Sequence, residues 1–137
     1  MTTPTLPAAS LLHLARRGLV EATTAMDPAE RYAAAHLSAL RSAAAVLAAR
    51  ARPAPRPERR ATRPRSAWSL LAGVAPELGE WAAYFADGAV KRAAAEAHVQ
   101  GAVTDREADD LVRDAETFLA VVETTLGFAS PQLLLTR

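Results

Sequence analysis

Four stretches of this chain repeat apolar side chains at steps of three and four, and none alternates with a period of two over a useful length. Steps of three and four line one face of a helix, whereas a half-buried strand needs alternation, so the sequence predicts an all-α fold. Leu11, Ala15, Leu19, Ala22 and Met26 mark a first helix from about Ala8 to Ala25, with Gly18 inside it. The run Asp27-Pro28-Ala29-Glu30 is a helix start: an acid to accept from free amides, a proline at the first helical position and a capping-box acid. The second helix then extends to about Ala51, and the spacing puts Ala33, Leu37, Leu40, Ala44 and Leu47 on its inner stripe.

Residues 52–65, RPAPRPERRATRPR, interrupt the pattern with prolines at 53, 55, 57 and 64. Proline removes amide donors and disfavours helix in the residue before it, so this tract is expected to be an extended or disordered linker between the second and third helices. Ser66 can cap a short helix over about Ala67–Gly73. Pro76 and Gly79 predict a break near Ala75, followed by a longer helix to about His98. Leu71, Val74, Leu78, Trp81, Phe85 and Ala89 form the apolar stripe of this region, and Trp68, Trp81, Tyr84 and Phe85 are expected as core aromatics. Thr104-Asp105-Arg106-Glu107 is a second capping box, opening a last helix with Ala108, Leu111, Ala115, Phe118, Val122 and Leu126 on its buried face. Gly127 is a natural stop. Short connections make antiparallel neighbours, hence an up-and-down bundle of four to five helices in one domain over residues 1–137.

Much of the apolar half of the composition is alanine, which favours helix but buries little area, so a few large side chains must supply the core. There is no cysteine, which removes disulfides and thiolate chemistry and suits a reducing cytoplasm. The longest stretch without a formally charged residue, Met1 to Ala15, holds polar residues and two prolines and falls short of the ~20 apolar residues of a membrane span. His13 and His98 lack a second ligand at helical spacing, and the acids Asp105, Glu107, Asp109, Asp110 and Asp114 read as a solvated, dipole-complementing helix start. Neither a metal nor a cofactor is expected.

Charge is placed unevenly. Arg50 to Arg65 holds seven arginines and one acid, a net +6, which leaves −5 on the rest of a chain whose total is +1. Arg52, Arg56, Arg59, Arg60, Arg63 and Arg65 are therefore candidates to contact nucleic-acid phosphates or an acidic partner. The tract has no aromatic residue on which a base could stack.

The patterns ERYAAAHLSALRSAAAVLAAR (Glu30–Arg50), SAWSLLAGVAPELGEWAAYFADGAVKRAA (Ser66–Ala94) and TDREADDLVRDAETFLAVVE (Thr104–Glu123) resemble the HEPN superfamily (higher eukaryotes and prokaryotes nucleotide-binding). They are most similar to a small stand-alone actinobacterial family within it. The resemblance implies a helical bundle, RNA or nucleotide as a partner, and in many members a metal-independent ribonuclease using R-x4-6-H. Arg31 and His36 fit R-x4-H, although Tyr32 follows the arginine where a small polar residue is usual. An imidazole can move a proton from the ribose 2′-hydroxyl, and a guanidinium can hold the phosphate oxygens. Residues five apart lie about 140° around one helix, so catalysis by this pair implies a homodimer. The residues also allow a second reading, in which His36 borders the apolar stripe as a structural side chain and the chain is a non-catalytic module that dimerises or docks on a partner protein.

Overall fold

The computed structural model describes residues 7–50 and 66–128. The linker tract, and with it the six candidate arginines from Arg52 to Arg65, lies outside the described residues. The elements are α1 (Ala8–Thr24), α2 (Pro28–Ala49), α3 (Ala67–Val74), a 3-10 turn (Pro76–Leu78), α4 (Gly79–Asp87), α5 (Ala89–Glu96) and α6 (Asp105–Thr125). Among the described residues there is no strand, and the molecule is an all-helical bundle. No described helix is long and apolar enough to cross a membrane.

The start signals act as the sequence suggests. The Asp27 side chain accepts from the Glu30 amide at 3.2 Å, with Pro28 at the first helical position. Ser66 accepts from the Ser69 amide at 3.1 Å. Thr104 and Glu107 close a reciprocal capping box at 3.0 and 2.9 Å. The buried face of α6 includes Ala108, Leu111, Ala115, Phe118 and Val122, all five of which the spacing marks.

Helix α2 is the axis of the molecule, packed by α1, α6, α5 and α3. Its inner stripe is not the expected one. Tyr32, Ala35, His36, Ser38, Ala39, Ser42, Ala43, Ala45 and Val46 are buried, while Ala33, Leu37, Leu40, Ala44 and Leu47 are only half-buried. The cause is size. Small side chains let neighbouring helices approach closely on several sides, and the leucines are left at the rim. Ser38 and Ser42 are tolerated inside because their hydroxyls donate to the carbonyls of Ala15 (2.6 Å) and Ser38 (3.2 Å). In α1 the expected stripe is buried at Ala15, Leu19 and Ala22, with Leu12 and Gly18 beside it and Leu11 half-buried against the core, while Met26 is 89% exposed.

A methyl group added at Gly18 would meet Ser38 Cβ at 3.5 Å, an ordinary contact. Glycine inside a helix costs roughly 0.5–1 kcal/mol relative to alanine. Gly18→Ala is therefore expected to stabilise the chain by about that amount, read as a rise of roughly 2–4 °C in thermal midpoint.

The long helix expected to reach His98 is split. At Gly88 the amide donates to the Phe85 carbonyl at 3.1 Å, three residues back, and α5 starts as a separate helix at Ala89. A side chain at Gly88 would sit 2.9 Å from the Tyr32 hydroxyl and 3.4 Å from His36 Cδ2. The break thus brings bare backbone against α2 where Tyr32 and His36 project.

Candidate functional site

Arg31 and His36 sit in the first half of α2, where Arg31 meets α6 and His36 meets Phe85 of α4, and the structure does not bring them together. Arg31 points toward the start of α6. Its Nε donates to the Ala25 carbonyl (3.1 Å) and Nη2 to the Met26 carbonyl (3.0 Å). Its Nη1 reaches Asp109 at 3.1 Å and Asp105 at 3.4 Å. One guanidinium therefore ties the turn between α1 and α2 to the first turns of α6 and sets the amino ends of α2 and α6 side by side. All three of its nitrogens are engaged.

His36 points the other way, into the core, and is 1% exposed. Its place is not at the border of the apolar stripe but within the buried one. The ring lies stacked with Tyr32 (centroids 6.5 Å apart) and meets Trp68 and Phe85 edge-on at 5.9 and 6.1 Å. Nε2 is 2.8 Å from the Phe85 carbonyl, which can only accept, so Nε2 carries the proton and donates. Nδ1 is buried and has no hydrogen-bond partner among the described residues. Burial pulls the imidazole below its ordinary range, and Arg92 adds to this, while the Phe85 carbonyl and Glu96 oppose it.

Phe85 closes the cluster. It is fully buried, with the rings of Trp68, Trp81, Tyr84 and Phe118 between 5.0 and 6.0 Å away. Trp68 and Phe85 are core aromatics, as expected, and Trp81 packs against the core from a half-buried position. Tyr84 departs from the expectation: it is 43% exposed and donates its hydroxyl to Asp114. Burial and the Asp114 carboxylate push that phenol well above its usual range.

Beside Tyr84 the surface is concave. An open groove of about 490 Å³ is lined by Pro76, Glu77, Glu80, Trp81, Tyr84 and Asp114. A second, of about 380 Å³, continues from Tyr84 past Asp87, Lys91, Glu107 and Asp110. Glu77 is held below the usual carboxylate range by its hydrogen bond from Arg50, 2.9 Å away. Glu107 is held low by Lys91, at 2.8 Å, and by the Thr104 amide. Sequence reasoning gave the α4 aromatics to the core and the α6 acids to solvent, and so missed that they share a wall. The signal was present in the spacing of Glu77, Glu80, Tyr84 and Asp87, which recur at helical intervals through the 3-10 turn and α4. No group of three or more acids or histidines able to hold a metal ion occurs among the described residues.

A family model described as SAV_6107-like HEPN matches residues 22–123. The match runs from the last turn of α1 to the last turn of α6 and contains both Arg31 and His36. No curated protein and no solved structure matches the chain. With well over half of its length matched by one model and an all-helical bundle built on those residues, the chain belongs to the SAV_6107-like HEPN family.

Proposed function

We propose that this HEPN chain is a non-catalytic helical interaction module that pairs with a second copy of itself along the outer face of α2. The observation that carries the reading is the position of His36. A general base must reach a substrate hydroxyl directly or through one water. An imidazole with Nε2 committed to the Phe85 carbonyl, Nδ1 enclosed and 1% of its surface exposed does neither. Arg31 has no free nitrogen with which to fork onto a phosphate. Each of the two nearby grooves carries three carboxylates, which repel a nucleic-acid backbone.

Pairing is supported by the displaced stripe of α2. Ala33, Leu37, Leu40, Ala44 and Leu47 follow one another at steps of four, three, four and three, and all are half-buried. That alternation is the spacing at which two helices interlock side chains along a seam, and small residues at 33 and 44 allow close approach.

Two measurements test the reading. Incubated with total RNA in EDTA, the protein is expected to leave the same RNA profile as a no-protein control. Cleavage by the wild type that disappears in Arg31→Ala would overturn the non-catalytic half. By light scattering the wild type is expected to be a dimer, and the Leu37→Glu, Leu40→Glu double variant a helical monomer. A wild type that stays monomeric at every concentration would overturn the pairing.

A further inference from the structure

We propose that the groove between α4 and α6 is the docking site for this chain's own arginine- and proline-rich segment, residues 51–65, bound in cis. Three observations lead there. The first is chemistry. The groove presents two aromatic faces, Trp81 and Tyr84, with Pro76 at one end and the carboxylates of Glu77, Glu80 and Asp114 around them. Its continuation beyond Tyr84 adds Asp87, Glu107 and Asp110; among the described lining residues Lys91 is the one cation, and Arg113 pairs with Asp110 from the side. Aromatic walls flanked by acids suit an extended segment in which prolines alternate with arginines, since proline rings pack on aromatic faces and guanidinium groups fork onto carboxylates.

The second observation is charge complementarity within one molecule. Residues 51–65 carry six arginines against one acid, and the rest of the chain is acidic. The arginines recur at intervals of one to four residues, so several meet the carboxylates at once if the segment runs along the groove.

The third is attachment. Arg50, the last described residue before the segment, already pairs with Glu77 at the Pro76 end of the groove. Ser66, where the chain resumes, lies two residues before Trp68, whose ring stacks at 5.2 Å on Phe85, the neighbour of Tyr84. Both ends of the segment are thus fastened beside α4. The groove follows the 3-10 turn and α4 from Glu77 to Tyr84, a rise of about 10 Å at helical geometry. Fifteen extended residues span about 46 Å, enough to lie along it and return to Ser66. A tethered segment also needs little intrinsic affinity, because its effective concentration is in the millimolar range.

The absence of cysteine lets a single spin label be placed cleanly. Full-length Ala54→Cys carrying a nitroxide is compared with its reduced form by nuclear magnetic resonance, reading the indole N–H signals of Trp81 and Trp68. The Trp81 signal is expected to fall below half its intensity in the oxidised sample. Mixing with excess unlabelled protein should not restore it. It should recover in about 1 M salt, where the screening length falls to about 3 Å. Glu77→Gln with Glu80→Gln should weaken the effect, and so should replacing Arg52, Arg56, Arg59 and Arg60 by glutamine. A Trp81 signal of full intensity, or broadening unmoved by salt and by both sets of substitutions, overturns the proposal. Broadening that disappears on mixing with unlabelled protein assigns the groove to a second copy and overturns docking in cis.

Discussion

His36→Ala is expected to destabilise the bundle by about 3 kcal/mol, read as a lower urea midpoint at unchanged slope. The ring is among the largest fully buried side chains of the chain, and its removal leaves a cavity bounded by Tyr32, Trp68 and Phe85. The lost hydrogen bond contributes less than the cavity, because the Phe85 carbonyl keeps the Gly88 amide as a donor. A pH signature separates this role from simple filling. Burial depresses the imidazole in the folded state below the 6.5 it has when exposed. Above pH 6.5 both states are neutral there, and the contribution is fully present. As pH falls below 6.5 the unfolded chain takes up a proton that the folded chain refuses, and stability declines by at most about 1.4 kcal/mol per pH unit until the folded-state value is reached. Glu77 and Glu107, whose carboxyls are held below their ordinary 4.5, lose their contributions only below that pH, so the two windows do not overlap at their upper ends. His36→Gln should flatten the dependence between pH 6.5 and 5. An unchanged slope in that variant, or a wild type insensitive to pH there, would count against the buried neutral imidazole.

What the sequence discloses about this fold depends on how local the determining physics is. Caps are local: Asp27, Ser66 and Thr104 each act within three residues, and all three are where the sequence puts them. The face of α6 is legible because that helix is amphipathic, with acids and arginines opposite Leu111, Phe118 and Val122. Helix α2 is misread because its periodicity is carried by leucines, whereas its burial is decided by how closely four neighbours approach its alanines and serines. The break at Gly88 is hidden for a related reason. Glycine there has a negative φ that any residue can adopt, and what it supplies is room for Tyr32 and His36, some fifty residues away in sequence. Arg31 and His36 match a pattern in one dimension. Their partners, Asp105 and Asp109 for one and the Phe85 carbonyl for the other, come from different helices, and no spacing along α2 discloses them.

Phe85→Ala is expected to be the most damaging single truncation in the described core, costing about 4 kcal/mol. Total stabilities of such domains lie at about 5–15 kcal/mol, so the variant should sit close to unfolding at ambient temperature. The reason is position as much as volume. Phe85 is the ring that His36, Trp68, Trp81, Tyr84 and Phe118 share, and those side chains come from α2, α3, α4 and α6. The five neighbours are rigid rings already packed against other groups, so they cannot flow into the space. Phe85→Leu keeps most of the volume and should cost about 1–2 kcal/mol, because the backbone carbonyl that holds His36 stays in place. Combining Phe85→Ala with His36→Ala separates the shared cavity from independent contacts. The two rings touch, so the double variant should lose less than the sum of the singles, by about 1 kcal/mol or more. Urea denaturation of the four proteins measures this directly, and strictly additive losses would mean that the two side chains stabilise separate parts of the bundle.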